Sequence, residues 1–148
     1  MFLSGILARG RNGVKQSVPM PFLRLTCWLA VASWLGGIFY LSQQSEPLGA
    51  TVGANDAVLA HLGLYAGLAA LLLWTLLLSA PRRGPLLLWA AVAFGLAVAY
   101  GVSDEYHQSF VAGRSATADD IGFDAAGAAF GVGFALLVAR FAARFSRR

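Results

Sequence analysis

The feature that most constrains the fold is a set of long apolar runs that contain no charged residue. The 21 residues between Arg24 and Glu46 are uncharged. So are the 20 residues between Arg83 and Asp104. A helix rises about 1.5 Å per residue, so each run would span roughly 30 Å, the thickness of the hydrocarbon core of a bilayer. Both runs therefore predict transmembrane helices.

The composition also indicates a membrane protein. Hydrophobic residues make up 58% of the 148-residue chain and charged residues 12%, whereas a soluble domain carries about 25% charged residues. A surface with so few charges is stable in contact with lipid but not in contact with water. The sequence predicts one all-α, polytopic domain, a bundle of four transmembrane helices. The expected bounds are a flexible basic tail over 1–20, a membrane domain over 21–145, and helices at about 22–42, 57–80, 86–108 and 120–143.

Two alternatives concern the N-terminal end. The first apolar run follows a basic segment that contains Arg9, Arg11 and Lys15, so a cleaved signal peptide is an alternative to a transmembrane helix. We favour the helix, because the run is long for a signal peptide and no small-residue cleavage site follows it directly. Met20 is an alternative start of the chain, which would make the tail dispensable.

The basic residues predict the orientation. Cytoplasmic loops of membrane proteins carry an excess of Lys and Arg. With a cytoplasmic N-terminus, four helices place ten of the eleven basic residues inside and leave Arg114 outside, while all seven acidic residues lie on or near the outer side. We therefore expect both ends in the cytoplasm. Because the basic residues lie at helix ends rather than on one face, the net charge of +4 does not indicate nucleic-acid binding.

The acidic residues concentrate in one polar stretch, residues 100–124. It contains five of the seven acidic residues, one of the two histidines and an isolated arginine, Arg114. A guanidinium suits bidentate contact with a carboxylate or a phosphate. Arg114 is therefore either a ligand-binding residue or a structural one. In the structural alternative it pairs with Asp104, Glu105 or Asp120.

The third predicted helix would place these polar residues on different faces. If it stays helical to Gln108, one side carries Tyr100, Asp104, His107 and Gln108, and Glu105 points elsewhere. A solvated helix end is the alternative interpretation of Glu105 and His107. A second histidine, His61, lies near the start of the second apolar run at the same predicted depth, and it is either a hydrogen-bonded structural residue or a ligand.

The fourth apolar run contains a conflict between length and charge. Only 15 uncharged residues separate Asp124 from the next arginine, too few to span a bilayer comfortably. The helix must start near Asp120, which places Asp124 inside the apolar boundary. Asp120, Asp124, Gly127 and Gly131 then share one narrow face, where the two glycines allow close packing against another helix. A water-exposed helix end is the alternative for Asp124, and Asp119 or Asp120 could simply cap the helix.

Several kinds of site are not indicated by the sequence. Cys27, the one cysteine, permits neither an intrachain disulfide nor a CxxC metal site. No Ser or Cys nucleophile has a convincing His partner, and neither an HExxH motif nor a phosphate-binding loop is present. The sequence therefore does not decide whether the protein is an enzyme.

The polar residues form a recognisable pattern. The run Asp104-Glu105-x-x-Gln108-x-Phe110-x-x-x-Arg114, then Asp120-Ile121-x-x-Asp124-x-x-Gly127-x-x-x-Gly131, resembles the signature of the VanZ-like membrane protein family. His61-x-x-x-Tyr65 is similar to the upstream motif of that family. The resemblance covers about residues 35–135. The chain departs from the pattern at Val58, where the family often has lysine, and at Asp124, which is often asparagine.

The resemblance implies a small multi-pass protein of the bacterial cytoplasmic (inner) membrane. Some relatives are linked to resistance against glycopeptide antibiotics such as teicoplanin. The resemblance does not supply an established reaction.

Pattern and resemblance together predict a polar binding pocket at the outer mouth of the bundle. Three acids are candidate catalytic residues because a carboxylate can act as a general base, and the acidic cluster could also hold a divalent cation that bridges to a phosphate. The three are Asp104, Glu105 and Asp120. The predicted substrate-binding residues are His61, Asp104, Glu105, Gln108, Arg114, Asp120 and Asp124.

Three functions are open at this point. We favour a protein that binds or modifies an amphiphile of the cell envelope, such as an anionic lipid or a lipid-linked precursor. A small proton-coupled transporter, with Asp124 and His61 as its titrating groups, is an alternative that would need a homodimer. A structural or accessory subunit that only binds partner helices is the other alternative.

Overall fold

The structure is a computed structural model. It describes residues 7–9, 15–17, 20–44, 54–80, 84–114 and 117–145. Over these residues the chain forms two short strands and four long helices. The strands are β1 (Leu7–Arg9) and β2 (Lys15–Ser17), and the helices are α1 (Met20–Ser42), α2 (Ala54–Ser79), α3 (Leu86–Gln108) and α4 (Ala118–Phe145).

All four helices are long and apolar enough to cross a membrane. The predicted all-α fold of four transmembrane helices is thereby confirmed, and the protein is a multi-pass membrane protein. The orientation with both ends in the cytoplasm stays a prediction. β1 and β2 pair in antiparallel fashion, with Leu7 opposite Ser17, in a segment where the sequence predicted a flexible tail without packed structure.

The length of helix α4 explains how the fourth apolar run can carry charged residues and still span a bilayer. Its 28 residues would extend roughly 42 Å, about 12 Å more than the hydrocarbon core. The polar first turn with Asp119 and Asp120, and the last turn with Arg144, can therefore lie in the headgroup regions. Asp124 follows one turn after Asp120 and is completely buried within the protein.

Helix α2 lies at the centre of the bundle and contacts the other three helices. Its large side chains pack against small ones of its neighbours, such as Ala97 of α3 and Ala128 of α4. Two glycines of α4 bring the backbones of α2 and α4 together. A Cβ atom at Gly127 would collide with the carbonyl oxygen of Leu62, and one at Gly131 with that of Ala66. The buried residues of α2 include Tyr65, Leu68, Ala69, Leu72 and Leu73.

Helix α1 packs at the edge of the bundle. Its buried residues are Val31, Ile38 and Ser42, and most of its other side chains point outward. Hydrogen bonds attach it to α2, from Arg24 Nε to the Leu78 carbonyl at 3.0 Å and from Trp34 Nε1 to the Leu64 carbonyl at 2.9 Å. Outward apolar side chains on all four helices would contact lipid.

Candidate functional site

The polar ends of all four helices meet at one end of the bundle. The C-terminal ends of α1 and α3 lie beside the N-terminal ends of α2 and α4, because successive helices run in opposite directions. Side-chain hydrogen bonds join α1 to α3 through Ser42 and Asp104, and α2 to α4 through His61 and Asp124. The chain therefore gathers these polar side chains at one end of the bundle.

The first group of polar side chains surrounds Asp104. This Asp104 cluster consists of Ser42, Tyr65, Asp104 and Gln108, all of them buried. One carboxylate oxygen of Asp104, Oδ2, accepts hydrogen bonds from Ser42 Oγ at 2.7 Å and Gln108 Nε2 at 3.0 Å, with the Tyr65 hydroxyl at 3.4 Å. The other oxygen, Oδ1, has no hydrogen-bond partner among the described residues. The cluster thus fixes Asp104 through donors from three helices.

Among the described residues, Arg114 is held by an amide and by no carboxylate. Its Nε and Nη2 donate to Gln108 Oε1 at 3.1 Å and 2.6 Å. The preceding loop turns at Gly113, whose φ of 83° suits glycine because it lacks a Cβ atom. Within the described ranges, Arg114 lies within ion-pair distance of no acidic side chain. The structural pairing with Asp104, Glu105 or Asp120 is therefore not formed.

The second group is the His61 triad, which consists of His61, Glu105 and Asp124. His61 Nδ1 and Asp124 Oδ1 are 2.8 Å apart, so a proton on Nδ1 is donated to the carboxylate. Glu105 is 4% exposed, and neither of its oxygens has a hydrogen-bond partner among the described residues. One ligand atom from each residue lies within 4.8 Å of the other two. The triad therefore has the composition of a metal site.

The two groups use different faces of α3. Asp104 and Gln108 are four residues apart, which places them on one side of the helix, and in the structure this side faces α1. Glu105 is rotated by about 100° from Asp104 and faces α2 and α4. Tyr65, a member of the Asp104 cluster through its hydroxyl, also adjoins the His61 triad. Its ring lies parallel to that of His61, with centroids 6.5 Å apart. The buried polar side chains thus form two adjoining groups.

Asp120 has a local role at the start of α4. The Thr117 hydroxyl donates to Asp120 Oδ2 at 2.7 Å, and the Asp120 backbone N–H lies 3.4 Å from the same hydroxyl oxygen. This reciprocal pattern caps a helix N-terminus. Asp120 is not a member of either group, which corresponds to the capping alternative that the sequence left open.

Two spaces adjoin these groups. A groove of about 370 Å³ lies between α1 and α3, and its lining is mostly aromatic. We call it the α1/α3 groove, and its lining residues are Phe39, Tyr100, Ser103, Asp104, Tyr106, His107 and Phe110. A smaller cavity of about 70 Å³ between α1 and α2 is lined by residues of both groups, among them His61 and Asp104, and also by Arg114. We call it the inner cavity.

Three contributors were missed by the sequence reasoning. Ser42 is the last residue of an apolar helix. It follows Ile38 by four residues and therefore shares its buried face, and this spacing was the one signal in the sequence. Tyr65 entered as part of a motif and not as a site residue. Gly101 permits the burial of Asp124, because a Cβ atom there would lie 2.7 Å from Asp124 Oδ2. In the sequence, only its position three residues before Asp104 marks Gly101.

Comparison with known proteins adds a family match. The family model described as VanZ/LLP1 matches residues 27–139, which include all four helices in whole or in large part and both polar groups. No curated protein and no solved structure matches the chain.

Proposed function

The chain belongs to the VanZ/LLP1 family of membrane proteins, and we propose that it binds an anionic amphiphile of the cell envelope at the polar end of its helix bundle. The ligand class is an anionic lipid or a lipid-linked precursor, whose charged headgroup would bind Arg114. With both chain ends in the cytoplasm, as the basic residues predict, this polar end lies at the outer face of a bacterial cytoplasmic membrane.

The proposal rests on the burial and the hydrogen bonds of the Arg114 guanidinium. It is half-buried, and its Nε and Nη2 donate to a neutral amide oxygen. A guanidinium has five N–H donors, so further donors remain for a ligand. A guanidinium that meets no carboxylate among the described residues and lines a cavity favours an anion, and its planar donors match a phosphate or carboxylate group.

The α1/α3 groove supports an amphiphile rather than a small soluble anion. Its volume of about 370 Å³ lies within the common range of ligand pockets, roughly 300–1,000 Å³. Phe39, Tyr106 and Phe110 provide apolar walls, whereas Ser103 and Asp104 provide polar groups. Because α1 lies at the edge of the bundle, a lipid tail could enter this groove from the bilayer.

Binding tests the proposal directly. Full-length protein in detergent should bind phosphatidylglycerol or a polyprenyl phosphate more tightly than zwitterionic phosphatidylcholine, as measured by native mass spectrometry or microscale thermophoresis. Arg114→Ala should lower the affinity for the anionic ligand about tenfold or more, since charge-assisted hydrogen bonds contribute about 1.5–3 kcal/mol. Arg114→Lys should retain part of the binding.

Arg140→Ala is the matched control. Arg140 is an exposed arginine near the opposite end of α4, so its loss should leave this binding unchanged. Equal binding by the wild type and Arg114→Ala would refute the proposal. A role in teicoplanin-type resistance would follow from ligand binding, and Arg114→Ala should then abolish the resistance that the wild-type protein confers on a susceptible host.

The hydrogen bonds of the Asp104 cluster favour the structural alternative as a second candidate. They join α1 to α3 through buried side chains, so the cluster stabilises the bundle whatever else it does. If Arg114→Ala and Asp104→Asn both unfold the protein and the folded wild type binds no amphiphile, the structural account replaces the proposed one.

A further inference from the structure

We propose that His61, Glu105 and Asp124 bind a divalent transition-metal ion, of which Zn²⁺ suits the ligand set best. The proposal concerns a site distinct from the Arg114 guanidinium, and it stands or falls without the proposed function. Its ligands come from three helices: His61 from α2, Glu105 from α3 and Asp124 from α4.

The unpartnered carboxylate of Glu105 is the first reason. Buried polar groups in proteins nearly always have hydrogen-bond partners, and buried charges are paired or bind metal. Glu105 is 4% exposed, yet both of its oxygens lack a hydrogen-bond partner within the described part of the chain, and so does Asp124 Oδ2. A divalent cation between the two carboxylates would compensate both charges.

The geometry is the second reason. The three ligand atoms lie within 4.8 Å of one another, whereas ligand atoms around tetrahedral zinc, at about 2.1 Å from the metal, are about 3.4 Å apart. The widest separation must therefore shrink by up to about 1.4 Å, which rotamer adjustments of Glu105 can supply. Where His61 binds through Nδ1, which lies 2.8 Å from Asp124 Oδ1, the ion takes the place of their shared proton. Gly101 leaves room for the Asp124 carboxylate at this point, since a Cβ atom there would lie 2.7 Å from Oδ2.

The ligand types select the metal. One imidazole and two carboxylates, with a fourth position open, match the zinc sites that keep a place for water or substrate. Calcium takes six to eight oxygen ligands, and magnesium keeps an octahedral oxygen shell, so neither suits a site with a histidine and few ligands. The inner cavity, lined by His61, provides space for the fourth ligand.

Metal loading of the purified full-length protein tests the site. Protein in detergent, without a histidine tag, is stripped with EDTA and titrated with Zn²⁺, Mn²⁺, Mg²⁺ or Ca²⁺, and bound metal is measured by inductively coupled plasma mass spectrometry. We expect stoichiometric Zn²⁺, weaker Mn²⁺ and no retention of Mg²⁺ or Ca²⁺. Zn²⁺ should also raise the Tm, because a ligand that binds the folded state stabilises it.

Substitutions locate the ion. Glu105→Gln removes a direct ligand and should weaken zinc binding at least as much as loss of an outer-shell partner does, about tenfold or more. It should also remove the zinc-dependent rise in Tm, while the metal-free Tm does not fall. Asp124→Asn, which keeps the shape of the side chain, should have the same effect on zinc and serves if Glu105→Gln does not fold. Asp119→Asn and His107→Gln are controls that should leave zinc binding unchanged, since neither residue belongs to the triad.

Either of two results would overturn the proposal. One is wild-type protein that retains no zinc after removal of excess metal. The other is zinc retention that Glu105→Gln and Asp124→Asn leave unchanged, or that disappears in His107→Gln, because the ion would then be bound elsewhere.

Discussion

Replacement of Gly131 with alanine tests the close contact between α2 and α4. In the structure a Cβ atom at Gly131 would overlap the carbonyl oxygen of Ala66, with the carbonyl carbon at 2.7 Å. These are backbone atoms of a helix, so no side-chain rotation can relieve the overlap. Alanine should therefore force the two helices apart, and the His61–Asp124 hydrogen bond between them should lengthen.

Gly133 in the same helix provides the matched control. None of the described residues would come within 4 Å of a Cβ atom at Gly133. Both substitutions gain the same helix propensity, roughly 0.5–1 kcal/mol, so the difference between them isolates the packing term. Overpacking of a tight contact costs about 1–3 kcal/mol, occasionally more. Because the obstacle is backbone, we expect a difference near the upper end, about 3 kcal/mol.

The assay is reversible unfolding of purified protein in mixed micelles with increasing SDS, followed by circular dichroism or tryptophan fluorescence. Gly131→Ala should unfold at lower SDS than the wild type, and Gly133→Ala at the same or higher SDS. Equal unfolding free energies for the two variants, within about 0.5 kcal/mol, would refute the close contact, since that is the size of ordinary surface effects.

Three further predictions address the polar groups and the topology. Ser42→Ala removes the 2.7 Å donor to the buried Asp104 carboxylate and should lower the free energy of unfolding by about 1–3 kcal/mol, whereas Ser103→Ala, at an exposed position, should change it little. Gly101→Ala should displace Asp124, because Asp124 Oδ2 would lie 2.7 Å from the new Cβ atom, and should so lower both stability and the affinity for zinc. Gly95→Ala in the same helix would meet no described residue within 4 Å and should change neither. An alkaline phosphatase fused after Arg148 should be inactive and a green fluorescent protein there should be bright, whereas the opposite pattern would contradict a cytoplasmic C-terminus.

The four helices were predictable because bilayer thickness fixes their length. Runs of about 20 uncharged residues leave little choice of structure in lipid, where backbone polar groups must be satisfied within the segment. The bounds of α3, residues 86–108, coincide with the predicted ones, while α2 begins at Ala54 and not at 57. Helix ends depend on local hydrogen bonds, such as the Thr117–Asp120 cap of α4, that hydropathy does not report.

The partners of the polar side chains were less predictable, because they depend on how the helices pack. Helical periodicity correctly separated Glu105 from the face that carries Asp104 and Gln108. It could not show that Ser42, from a helix far away in sequence, would donate to Asp104. Nor could it show that Arg114 would bind an amide, since that contact depends on the turn at Gly113.

Electrostatics connects the two proposed sites. Carboxylates such as Glu105 and Asp124 lie at the same end of the bundle as Arg114, and His61 and Arg114 both line the inner cavity. Like charges repel appreciably at the effective dielectric constant of about 20 that applies near a protein surface, so ionised carboxylates would oppose an anionic headgroup bound by Arg114. A divalent cation in the His61 triad would cancel that repulsion. Zinc should therefore strengthen binding of the anionic amphiphile, and by linkage the amphiphile should strengthen binding of zinc by the same factor. Equal amphiphile affinities in zinc and in EDTA would mean that the two sites act independently.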